Sequence, residues 1–152
     1  MLWLAMMLGC NPTIMEVTGS IEGNSFTPVT AFYGGPYIAF FSIEIDCKET
    51  YWLDKIYRNG EAPYQRDLEA LQINFNDSDV VMGTYSTGGE APIRSSFLDI
   101  NGEAFEVTTS TDGLLTVTDV DGDWASGTFD LSFGDDIMSG DFTIPFCTNL
   151  VH

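Results

Sequence analysis

Apolar and polar positions alternate with a period of two along most of this chain, and that pattern predicts strands. Expected strands run over 17–22, 26–33 and 37–45, the last with Phe41, Ile43 and Ile45 on one face. After a break, further strands are expected over 68–75, 80–86, 97–100, 104–110, 114–120, 125–133 and 137–147. Turn signals separate them: Gly34-Gly35-Pro36, Asn76-Asp77, Gly88-Gly89, Asn101-Gly102, Asp112-Gly113, Asp121-Gly122 and Gly134-Asp135. Asn-Gly and Asp-Gly between alternating runs are strong hairpin signals. About nine or ten short strands at this spacing predict an all-β fold, an antiparallel β-sandwich or flattened barrel.

One stretch changes period. Asp46-Cys47-Lys48-Glu49 has the form of a capping box, with Asp46 as cap and Glu49 three residues on. Trp52 and Ile56, with Leu53 and Tyr57, follow at helical spacing, and Asn59-Gly60 closes the run. One short helix is expected near residues 48–58, then a loop through Pro63 and Arg66. A short echo also stands out. Ser126-Gly127-Thr128-Phe129 returns as Ser139-Gly140-Asp141-Phe142, as two neighbouring hairpin strands with aromatics on the core face would produce.

The N-terminus departs from both patterns. Met1 to Leu8 is uniformly apolar and leads into Gly9-Cys10. The run is too short to cross a bilayer, which takes about 20 apolar residues. It matches the apolar centre of a secretory signal. With Gly9 the last residue removed and Cys10 the residue that carries lipid, it has the form of a bacterial lipoprotein processing site. No Lys or Arg precedes the run, which leaves a start upstream of Met1 as an alternative. The expected organisation is a signal segment over 1–9, a tether over 10–15 and a single β-sandwich domain over 16–152.

Cysteine counting agrees with that organisation. The three cysteines are Cys10, Cys47 and Cys147. An odd cysteine in an exported protein needs an explanation. Lipid on Cys10 supplies one and leaves Cys47 and Cys147 to pair in a compartment that permits disulfides.

Charge narrows the partners. Acids outnumber bases 23 to 5, for a net charge of −18. Binding phosphates takes Lys and Arg, so nucleic acid is excluded as a partner. Four of the bases, Lys48, Lys55, Arg58 and Arg66, share one stretch with Asp46, Glu49, Asp54 and Glu61, leaving that segment neutral. Its aromatics and arginine make Trp52, Lys55, Tyr57 and Arg58 the candidate binding surface. The plainer reading is that Trp52 and Ile56 plug one end of the sandwich.

Other chemistry has less to stand on. Asp119, Asp121 and Asp123 alternate as ligands of a hard cation such as Ca²⁺ do. The glycine does not fall where an EF-hand loop needs it, and acidic turn residues have their own conformational reasons. No metal or other cofactor is therefore assigned. The sole histidine is His152, which deprives nucleophile–histidine and His-based zinc chemistry of a usable base or ligand. Paired carboxylates remain as a route to glycoside hydrolysis.

The lipobox-like start, the Gly-x-Phe strands and the end running into Phe146-Cys147 resemble small uncharacterised β-sandwich lipoproteins of Gram-negative bacteria. The resemblance implies a location and a fold. It implies no functional residues beyond Cys10 and the Cys47–Cys147 pair. The expectation is a monomeric, non-catalytic binding or structural module. It would be held by an N-terminal lipid in the bacterial envelope, at the outer membrane, facing the periplasm or the surface, with a protein or glycan partner. A calcium-dependent glycan-binding or adhesion module and a carboxylate-based hydrolase are the alternatives.

Overall fold

The computed structural model describes residues 13–50, 66–76, 78–101 and 104–150. Two antiparallel sheets face each other and do not close into a barrel, so the sandwich is the form adopted. The six-stranded sheet has the order β2 (Asn24–Ser25), β1 (Ile14–Ile21), β11 (Asp136–Pro145), β10 (Trp124–Phe133), β9 (Asp112–Val120), β6 (Gly83–Thr87). The five-stranded sheet has the order β3 (Thr30–Gly34), β4 (Tyr37–Phe41), β5 (Leu68–Asn74), β7 (Arg94–Asn101), β8 (Ala104–Thr109). The expected strands are present with shifted ends. β1 starts at Ile14, inside the expected tether. The run expected over 26–33 yields only Thr30–Gly34, because Pro28 lacks the N–H a ladder needs.

Alternation decides what faces the core. Leu115, Val117, Phe129, Leu131, Met138, Phe142 and Ile144 point inward from one sheet and meet Ile38, Phe40, Leu71, Ile73 and Phe97 from the other. The Ser-Gly-x-Phe echo is a packing device in this layer. β10 and β11 pair so that Gly127 lies opposite Phe142 and Phe129 opposite Gly140. Each ring covers the glycine of the other strand. Phe40 then packs on both rings, with centroids at 5.4 and 5.8 Å.

The five-stranded sheet is buried on its other face too. Every residue of β4 is buried, which is why Tyr37-Ile38-Ala39-Phe40-Phe41 reads as a continuous apolar run. Tyr37, Ala39 and Phe41 turn outward and join Leu68, Ala70, Leu98 and Ile100 beneath Ile45, Cys147 and Leu150. The expected capping box is formed here. Asp46 Oδ1 accepts from the Lys48 N–H at 2.9 Å, and Glu49 Oε2 accepts from the Asp46 N–H at 2.7 Å, opening a 3-10 turn over Cys47–Glu49. The remainder of the helix expected near 48–58 lies outside the described residues.

Both corners of the sandwich are joined. After β11 the chain crosses to the edge of β3, where the Cys147 N–H donates to the Tyr33 carbonyl at 2.8 Å. At the β6–β7 corner, Thr87 Oγ1 lies 3.2 Å from Ser95 Oγ and 2.7 Å from Ser110 Oγ, all three residues buried. Mutual hydrogen bonding is what makes burying these hydroxyls tolerable.

Candidate functional site

Cys47 and Cys147 are joined as a disulfide, with Cα atoms 5.6 Å apart across 100 residues of sequence. Cys147 is buried, and Thr50 Oγ1 donates to the Cys47 carbonyl at 2.6 Å beside it. The bond fastens the Cys47–Glu49 turn to the C-terminal turn Thr148–Leu150 over the outer face of the five-stranded sheet. Beneath that cover lies an apolar cavity of about 40 Å³ floored by Ala39 and Ala70. Such a space holds a few waters at most and is far below the roughly 150 Å³ that accepts benzene.

Asp119, Asp121 and Asp123 are not drawn together. Asp119 lies on the outer face of β9, opposite Ser126. The carboxylate of Asp121 turns back on its own hairpin and accepts from the Asp123 and Trp124 N–H groups at 3.0 and 2.8 Å. Among the described residues no three acid, cysteine or histidine side chains are grouped as metal ligands. The turn instead affects Tyr33, whose hydroxyl is buried beside it. Burial, then the charges of Asp121 and Asp123, push its pKa up, and the Gly122 N–H opposes them. Tyr33 therefore stays a neutral phenol.

Comparison with family models, curated proteins and solved structures gave no match.

The carboxylate group that the sequence pattern did not reveal is at the other end of the sandwich. Cross-strand register aligns Glu69 of β5 with Asp99 of β7, and Asp99 with Glu106 of β8. All three line a notch beside the β1–β2 turn, where Glu22 also contributes. Glu22 and Gly23 both have positive φ, 51° and 82°, which brings this two-residue turn tightly round. Glu69 is half-buried, and burial followed by the charge of Asp99 raises its pKa. Like charges directly opposite each other on paired strands are destabilising.

A raised carboxyl pKa means that the folded protein holds the proton more tightly than the unfolded chain. The stabilisation is thus complete below the ordinary glutamate value of about 4.3 and is lost as pH rises through the raised value. Glu69→Gln is expected to raise the melting temperature at pH 7 and to flatten its decline with rising pH. Melts of both proteins from pH 4 to pH 8 check this, and a lower melting point for the variant at pH 7 would contradict it. The candidate surface Trp52, Lys55, Tyr57 and Arg58 and the lipid site Cys10 lie outside the described residues.

Proposed function

We propose that this is an exported protein of the bacterial envelope, tethered through a lipid on Cys10 and acting as a non-catalytic binding or structural module. The observation that carries the reading is the Cys47–Cys147 disulfide, with Cys147 buried and Cys47 partly so. Disulfides of this kind persist in oxidising compartments, and this one leaves Cys10 as the unpaired cysteine beside an apolar leader. A rigid sandwich with a stapled cover suits a module that presents a surface.

The hydrolase alternative has its best support in Glu69 beside Asp99, since a carboxyl whose pKa is raised beside a second carboxylate is a feature of such enzymes. Their notch offers about 20 Å³, room for about one water and not for a sugar ring. Binding is therefore the reading we adopt.

The test is expression of the full chain in a Gram-negative host with labelled palmitate. The wild-type protein is expected to take up label and to sediment with membranes, whereas Cys10→Ser does neither and is released with an unchanged melting temperature. A wild-type protein without label, or a Cys10→Ser variant that still sediments, would overturn the tether.

A further inference from the structure

The outward face of the six-stranded sheet carries charge of one sign. No Lys, Arg or His occurs in any of its six strands. Its outward positions are mostly serine and threonine, among which stand the carboxylates of Glu16, Asp112, Asp119, Asp130 and Asp141. The central row runs Glu16, Asp141, Thr128, Thr116, Thr84 across five paired strands. Glu16 and Asp141 stand directly opposite each other, an arrangement that like charges disfavour and that a cation placed between them would relieve.

A second feature points the same way. Ile14, Leu114 and Ile137 lie on this face and are 41%, 55% and 58% exposed. They occupy three separate rows, opposite Thr143, Asp130 and Ser132 respectively. Exposed aliphatics spread among carboxylates suit side chains with an apolar stem and a cationic head, because Lys and Arg lay their stems on apolar surface while the head reaches a charge. An open depression of about 300 Å³ lies over the centre, lined by Glu16, Thr18, Thr128, Ser139 and Asp141. The aromatic in outward register, Trp124, pairs with Pro145 four residues along β10 from the central row, and the charge of the face repels anionic lipid.

The geometry points to this face as the docking surface for a basic protein segment, with lysine or arginine heads on Glu16, Asp130 and Asp141 and their stems on Leu114 and Ile137. It gives the binding-module reading a partner class and rests on that reading for binding alone. Lipid labelling and peptide binding are separate measurements, so either can fail without the other.

The probe is a fluorescein-labelled peptide of alternating lysine and serine, titrated with the full chain and followed by anisotropy. A glutamate–serine peptide serves as the counter-probe. The lysine peptide is expected to bind at 50 mM NaCl and to weaken steeply with salt, while the glutamate peptide does not bind. Glu16→Gln/Asp130→Asn/Asp141→Asn should weaken binding at least tenfold. Glu69→Gln/Asp99→Asn/Glu106→Gln, which removes the same charge elsewhere, should change it less than twofold. Leu114→Ser/Ile137→Ser, which changes no charge, should weaken it several-fold.

Equal losses in the two triple variants would reduce the effect to net charge and overturn the proposal. So would binding indifferent to Leu114→Ser/Ile137→Ser. Complete displacement of the peptide by 1 mM CaCl₂, but not by NaCl of equal ionic strength, would make the face a divalent-cation site and overturn it as well. Salt titration of the wild-type chain alone keeps the test open should a variant fail to fold.

Discussion

Cys47→Ser/Cys147→Ser is expected to lose about 2–5 kcal/mol of stability, the usual cost of removing a native disulfide from a small domain. For a chain of this size that lowers the melting temperature by roughly 5–15 °C. Part of the loss is entropy of the unfolded chain, since the bond closes a loop of 100 residues. Chain-entropy accounting puts a loop of that length at about 4.7 kcal/mol, a figure that real disulfides often fall short of. The remainder belongs to the folded state. The bond holds two short turns against Phe41, Leu98 and Ile100, and neither turn has a strand ladder of its own to keep it there.

Those two contributions separate experimentally. If only chain entropy is lost, the variant melts earlier but its native surface is unchanged. If the cover loosens, the variant binds a hydrophobic dye well below its melting point, because the outer face of β4, β5 and β7 becomes accessible. We expect the second result. Dye binding equal to wild type would show that the cover holds without its staple, and an unchanged melting temperature would contradict the structural role altogether.

The apolar pattern located most strands because one buried face gives a strand its period. The same pattern read Phe41, Ile43 and Ile45 as one face, and all three belong to the outer cluster, although β4 ends at Phe41. The capping box at Asp46 was legible because it is local in sequence. Hairpin neighbours such as β10 and β11 were legible too, but neighbours distant in sequence were not. Nothing in an alternating run says that β1 pairs with β11 or β5 with β7, since period two marks a face and leaves the adjacent ladder open. That gap hid the acidic notch. Glu69, Asp99 and Glu106 each look like an ordinary polar position, and only register lines them up. It equally hid the one-signed face, whose five acids are spread over four strands. The acidic run from Asp119 to Asp123 drew attention by its density, yet a tight turn spends the Asp121 carboxylate on its own N–H groups.

Phe40→Ala is expected to destabilise the protein by about 3–5 kcal/mol, as for other large aromatic truncations in a packed core. Phe40 is fully buried and bridges the two sheets, resting on Phe129 and Phe142. Those two rings are held in place by the glycines they cover, so the same layer makes a sharper prediction. A Cβ on Gly127 would lie 2.3 Å from the Thr116 carbonyl oxygen and 2.7 Å from Phe142 Cζ. The carbonyl belongs to the neighbouring strand and cannot swing aside without disturbing the β9–β10 ladder at its bulge. A Cβ on Gly140 would meet only side chains, Phe129 Cζ at 2.8 Å and Val17 Cγ2 at 3.0 Å. Overpacking of this kind costs about 1–3 kcal/mol, with Gly127→Ala at the upper end and Gly140→Ala at the lower. Urea unfolding of the three variants should rank them Phe40→Ala, Gly127→Ala, Gly140→Ala from most to least destabilised. A Gly140→Ala variant weaker than Gly127→Ala would mean that the rings, not the strand backbone, set the tolerance of this layer.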